Sequence, residues 1–145
     1  MKRKVILVGS SLMFATVVLA HDGVQNPAVK ARMDSMGAIA ENMKSLSLML
    51  KGNETFDLEN ARLAVANIAD HAGQTPALFE AQENDPKSEA KDEIWTNFDD
   101  FSAQASNLQT LALQLVDTIS TKDDLGPAMR DLGASCKDCH SIYRE

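Results

Sequence analysis

The sequence predicts an all-α chain folded as an antiparallel four-helix bundle, and three observations carry that reading. Four segments place apolar residues at spacings of three and four, the period of one helix face. The third segment keeps a seven-residue repeat from end to end, which favours shallow crossings with left-handed packing. None shows the two-residue alternation of a strand, and four one-faced helices bury those faces most simply against one another.

Residues 1–20 stand outside this pattern. Met1-Lys2-Arg3-Lys4 is a basic start, Val5 to Val18 is largely apolar, and Val18-Leu19-Ala20 supplies small residues ahead of a cleavage site. A membrane anchor needs about twenty apolar residues. This run is shorter and is interrupted by Gly9-Ser10-Ser11. The expected product is one exported domain, residues 21–145, with no stable membrane insertion.

Asn26 is placed to cap the first helix, with Pro27 at its first position. Val29, Met33, Met36, Ala40, Met43, Ser47 and Leu50 form its expected core stripe, and Gly52-Asn53 ends it. The second helix begins near Asp57, packs Leu58, Ala61, Val65, Ile68 and Ala72, and is expected to fade at Gly73. Gly73, Pro76 and Pro86 mark residues 73–91 as a long irregular connection in which Leu78-Phe79 tucks against the bundle. The third helix, expected to be the longest, runs through Ile94, Phe98, Phe101, Ala105, Leu108, Ala112, Leu115 and Ile119. Asp123-Asp124 caps the fourth, whose face is Leu125, Met129, Leu132, Cys136, Cys139 and Tyr143. Pro127 fits only a first turn, which sets that start near Asp124.

The fourth helix ends in Cys136-Lys137-Asp138-Cys139-His140. On a helix, residues three and four apart share a face, so two thiols and one imidazole point the same way. A covalently attached haem needs that arrangement: two thioethers to the porphyrin vinyl groups, and a His reaching under the ring to the iron. The motif uses both cysteines of the chain, and with two Cys and three His in 145 residues chance places it about once in two thousand. A thioredoxin-like pair calls for a βαβ context. A zinc site calls for a fourth ligand at short spacing, with only His21 and His71 remaining as histidines. The expected cofactor is one covalent haem c per chain. Bacteria attach such haem outside the inner membrane, so leader and motif together predict the periplasm.

The formal charge is −7, and loss of Lys2, Arg3 and Lys4 with the leader takes it to −10. So acidic a chain lacks the basic footprint of a nucleic-acid binder. The charge serves solubility or steers the protein to a basic patch on a redox partner.

These residues carry a resemblance. Gly133-Ala134-Ser135 leading into the Cys136–His140 motif, then Tyr143-Arg144, Val29-Lys30-Ala31-Arg32 in the first helix and Glu93-Ile94-Trp95 before the third all resemble the class II cytochromes c, the cytochrome c′ family. That family implies a four-helix bundle with haem attached near the C-terminus of the last helix, and no catalysis by the protein itself. Cys136 and Cys139 would hold the haem, and His140 would be the proximal iron ligand. The position opposite, four residues after the first-helix Arg, is Met36. In the low-spin branch a Met there ligates the iron and the protein carries single electrons. In the five-coordinate branch the distal side chain only blocks that face, and the protein binds nitric oxide or carbon monoxide. Met36 has a packing alternative in any case, since Met fills irregular cores.

The resemblance also implies Arg32 near the haem propionates and Arg144 beside the proximal imidazole. Met33 and Met43 compete with Met36 but miss the family position. His71 is expected at the end of the second helix, where a cation suits the dipole. Trp95 and Tyr143 are expected to pack. Homodimers through the first two helices are common in the family, and Ile39, Leu46 and Met49, off the expected stripe, either form such a face or finish the core.

Overall fold

The computed structural model describes residues 23–145, so the expected leader and His21 lie outside the described residues. Asn26 opens α1 (Pro27–Lys51): its side-chain oxygen accepts from the amides of Ala28 at 2.9 Å and Val29 at 3.2 Å. Pro27 has no amide to satisfy. Gly52 closes α1 in the left-handed region, at φ 74°, where a side chain would be strained. Asp57 caps α2 (Leu58–Leu78) by accepting from the Asn60 amide at 2.9 Å. A connection, residues 79–92, leads to the single turn α3 (Glu93–Thr96), then α4 (Phe98–Thr118) and α5 (Leu125–Tyr143). Thr121 and Asp124 cap each other across the 3-10 turn that feeds α5, and Pro127 falls in the first turn of α5 as expected.

These elements pack as the expected four-helix bundle. α2 lies against α1 and α4, and α5 closes the bundle against α4 and α1. The core is Ile39, Leu46 and Met49 of α1, Val65 and Ile68 of α2, Ala112 and Ile119 from α4 and its C-terminal cap, and Leu125 and Leu132 of α5. Burying each large aliphatic side chain of this set contributes about 1.5–3 kcal/mol.

Three expectations are corrected. The buried arc of α1 centres on Ile39, Leu46 and Met49, while Ala40 is exposed and Met36, Met43 and Leu50 are partly buried along one edge. α1 is apolar on more than one side, so periodicity alone did not choose between neighbouring faces. Ile39, Leu46 and Met49 are therefore core, not a surface for a second copy.

The second helix does not fade at Gly73 but continues across Gly73 and Pro76 to Leu78. Gly73 serves a close approach: a Cβ there would stand 2.2 Å from the side-chain nitrogen of Gln109 on α4. Pro76 leaves the Ala72 carbonyl without its helical amide near the helix end, and beside it the Thr75 hydroxyl donates to the His71 carbonyl at 2.9 Å. The third helix is also not the longest. It breaks at Asn97, φ −128° and ψ 42°, into α3 and α4, while α1 has 25 residues. Ile94 and Phe101 are buried on either side of the break, so the repeat runs through it undisturbed.

The connection is anchored by Asp85, whose carboxylate accepts from the amides of Gln25 at 2.8 Å, Asn26 at 3.0 Å and Lys87 at 2.9 Å. It thereby ties the start of α1 to residues 85–87. The amides of Lys87, Asn26 and Gln25 hold its carboxyl below the ordinary value of 3.8.

Two outcomes follow for stability. Ile119→Ala, at a site 1% exposed, is expected to cost about 2–5 kcal/mol in chemical denaturation; a loss under about 1 kcal/mol would show that the α4–α5 corner collapses around the missing atoms. For Asp85 the folded carboxyl titrates below the unfolded one, so its stabilisation is complete above 3.8 and lost as pH falls through the folded value. Asp85→Asn should lower stability at neutral pH and flatten the acid limb of the unfolding midpoint. Parallel pH profiles for the two proteins would reject this assignment.

Candidate functional site

The last turns of α5 carry Cys136, Cys139 and His140 on neighbouring positions of one face. Both thiols are half-buried and free, and His140 lies at the surface. Leu132 and Tyr143, buried on the same side of α5, hold this face against the bundle. Cys139 packs on a second apolar cluster, separate from the main core, made of Phe79, Ile94, Phe101 and Tyr143. The rings interlock: Phe79 and Phe101 have centroids 5.1 Å apart, and Phe101 meets Tyr143 edge-on at 5.3 Å.

The thiols behave as apolar groups. Burial pushes Cys136 above its ordinary value, and burial with the charges of Cys136 and Asp100 pushes Cys139 up to about 11. A dithiol oxidoreductase needs the opposite, a thiolate stabilised near neutral pH. Protonated thiols at the rim of an aromatic cluster suit thioether bonding to a planar apolar macrocycle. Among the described residues, the buried side-chain polar atoms without a hydrogen-bond partner are Ser102 Oγ and Gln104 Oε1, both on α4 beside Phe101. The donor set and its surroundings fit a haem. Among the described residues no group of three or more His, Cys, Asp and Glu side chains converges as a metal-ion site.

The far side of the cluster is built by α1. Met36 packs against both apolar clusters and is the α1 methionine that reaches the one containing Cys139; Met43 touches only the main core. His71 is not at the end of α2, as expected, but well inside it, and its Nδ1 pairs with the buried Ser35 hydroxyl at 3.0 Å. Nothing in the sequence pattern singled out Ser35, a small polar residue on a helical face.

Arg32 is buried, 3% exposed, and its guanidinium donates to three backbone carbonyls: Leu78 at 2.9 Å, Ala81 at 2.5 Å and Glu83 at 2.8 Å. It also lies over two rings, 4.8 Å from the Phe79 centroid and 5.4 Å from Trp95. Burial lowers its pKa, opposed by the charge of Glu83. Trp95 in turn donates its indole N–H to the Phe79 carbonyl at 2.8 Å.

Arg144 pairs with Glu89, 2.5 Å between guanidinium nitrogen and carboxylate, and bridges backbone to backbone with Ala90. His140 is held below the ordinary imidazole value by desolvation of its ring, then by the Arg144 charge, with Glu89 pulling the other way. The Tyr143 hydroxyl donates to the Asp100 carboxylate at 2.6 Å, and burial followed by that bond pushes the phenol up to about 12. Sequence reasoning placed Tyr143 as packing but did not find its partner, 43 residues away.

Residues 27–144 match the family model described as Cytochrome C′. A protein named cytochrome c-556 from Agrobacterium tumefaciens is 36% identical over 117 residues, covering 80% of this chain and 95% of that protein. One named cytochrome c′ from Pararhodospirillum photometricum is 34% identical over 120 residues, covering 81% and 95%. The solved cytochrome c′ from Rhodopseudomonas palustris superposes with a TM-score of 0.76 at 26% identity, over 83% of this chain and 98% of that one. The thiol pair at the end of the last helix, the aromatic cluster beside it and these matches lead to one assignment: the chain belongs to the cytochrome c′ family and its cofactor is haem c.

Proposed function

We propose that this protein is a periplasmic one-electron carrier whose haem c is bonded to Cys136 and Cys139, with His140 and Met36 as axial ligands. The observation that carries the reading is the packing of Met36: it meets, from α1, the same aromatic cluster that Cys139 meets from α5. When bound, the haem iron supplies the one-electron chemistry by alternating between its ferric and ferrous states. The protein's part is to orient and to exclude water. Phe79, Ile94, Phe101 and Tyr143 give the macrocycle a dry wall, which raises the weight of every ligand and charge near it. With His140 and Met36 holding the iron, the neutral, soft thioether would raise the reduction potential and exclude small molecules.

The basic and apolar start of the chain directs export, and no helix among the described residues is long and apolar enough to cross a membrane. The net negative charge steers the carrier toward a basic patch on its redox partner. Arg144, coupled electrostatically to His140, adjusts the basicity of the proximal imidazole.

A second reading has a specific support. Relatives named cytochrome c′ match this chain about as well as those named cytochrome c-556, at 34% against 36% identity. In that reading Met36 is a distal plug and the iron binds nitric oxide or carbon monoxide.

Absorption spectra of the oxidised and dithionite-reduced holoprotein separate the two. Split, sharp reduced bands and no reaction with carbon monoxide are expected, with Met36→Leu converting the protein to a high-spin form that binds carbon monoxide. A wild-type protein that is already high-spin, and whose spectrum Met36→Leu leaves unchanged, would sink Met36 as a ligand.

A further inference from the structure

We propose that Arg32 is the positioning residue for the distal side of the haem: its guanidinium fastens the helix that carries Met36 to the wall of the pocket. The inference rests on the His/Met reading above. Arg32 lies four residues before Met36, so the two side chains occupy the same side of α1 one turn apart. The carbonyls it holds are those of Leu78, at the end of α2, and of Ala81 and Glu83 in the connection. The same short stretch supplies Leu78 and Phe79 to the cluster on which Met36 rests, and the Phe79 carbonyl holds Trp95. One buried side chain thus spans the ligand's helix, the end of α2 and the aromatic wall.

The bonding pattern gives this tie its stiffness. Three nitrogens in one plane donate to three carbonyls, and the cation lies over two rings. A lysine has one charged nitrogen and no fork, so it cannot reproduce that plane. A metal ligand must be held within about 0.5 Å of its productive place. On the next turn of α1, a shift of that size is what the three carbonyl contacts resist. Ser35 and His71 add a second tie between α1 and α2, on the residue directly before Met36. That tie is a single hydrogen bond and lacks the reach into the connection.

The test uses the haem-loaded protein and compares Arg32→Lys and Arg32→Met with wild type and with Ile119→Ala. Ile119→Ala is a control for lost stability alone, because it removes core atoms at the α4–α5 corner without touching Arg32 or its partners. The readouts are the reduced absorption spectrum, the helical circular dichroism and carbon monoxide binding to the reduced protein. Variants of residues that orient a ligand typically change metal–ligand affinity about ten- to a hundredfold. Both Arg32 variants are therefore expected to stay helical, gain high-spin character and bind carbon monoxide, which the wild type does not, while Ile119→Ala keeps the wild-type spectrum.

Folded Arg32 variants with a low-spin spectrum and no carbon monoxide binding would overturn the proposal and leave Met36 ligation standing. A shift of equal size in Ile119→Ala would overturn it as well, since general loosening would then be the cause. If Arg32→Met yields no folded holoprotein, Arg32→Lys decides by the same criteria. If both fail to fold, Arg32→Gln, whose neutral amide can still donate to two of the carbonyls, decides by the same criteria. A high-spin wild-type protein unaffected by Met36→Leu marks the failure of the ligation reading itself, and this inference falls with it.

Discussion

A charge that is almost wholly removed from water has to be surrounded by partners, and Arg32 shows what that requirement does to a fold. An unpaired guanidinium in the interior would cost several kcal/mol. Here three carbonyls and two aromatic faces take the place of water. The Leu78 carbonyl is available because α2 ends there, since the last turn of a helix leaves its C=O groups without amide partners, and those of Ala81 and Glu83 come from the connection that follows. The Leu78 carbonyl goes to Arg32 and the Phe79 carbonyl to Trp95. The cation also sits at the negative end of the α2 dipole, where it is favoured. The end of α2, the burial of Arg32 and the position of Trp95 are three aspects of one arrangement.

The connection between α2 and α3 is consequently less a loop than a junction. Asp85 ties it to the start of α1 through the Gln25 and Asn26 amides. Residues 89–91 tie it to the end of α5: the Lys91 amide donates to the Tyr143 carbonyl at 3.0 Å, and the Glu145 amide to the Glu89 carbonyl at 2.9 Å. Arg144 adds its pair with Glu89. The α1 face with Met36 and the α5 face with Cys139, which pack on one aromatic cluster, are thus referenced to one stretch of chain. Backbone groups make most of these ties, so side-chain substitutions elsewhere in the connection leave them in place.

Local chemistry was legible in the sequence, and long-range chemistry was not. Asn26 with Pro27, Gly52, Asp57 and Pro127 act within a turn of themselves, and each marks a boundary where expected. The Cys136–His140 motif is equally local, since helical spacing alone brings its three side chains together. The choice of buried face on α1 depended on the positions of α2 and α5, and a helix apolar on several sides did not disclose them. Gly73 read as a stop because it ends the apolar periodicity at Ala72 and is followed by Gln74 and Pro76. Its actual partner is Gln109, supplied by another helix. Asn97 broke the third segment without breaking its repeat, so periodicity had nothing to report. Arg32 stood out through the family resemblance, but its three carbonyl partners lie 46 to 51 residues away.

This division between local and distant has a consequence for the two sides of the haem. Cys136, Cys139 and His140 belong to one and a half turns of one helix, and no rearrangement of the bundle separates them. Met36 reaches the cluster beside Cys139 only through packing between α1, the end of α2 and α5. It sits at the border of two apolar clusters, half-buried, on an unbranched side chain that adapts to its surroundings. A small displacement of α1 changes the sulfur's distance from the opposite face while leaving the proximal side intact. In this chain the proximal half is thus set by local sequence, and in the proposed His/Met reading the distal half by contacts such as those of Arg32. If Met36 is the ligand, as proposed, the stiffness of the α1 anchorage would decide whether the sixth position stays closed.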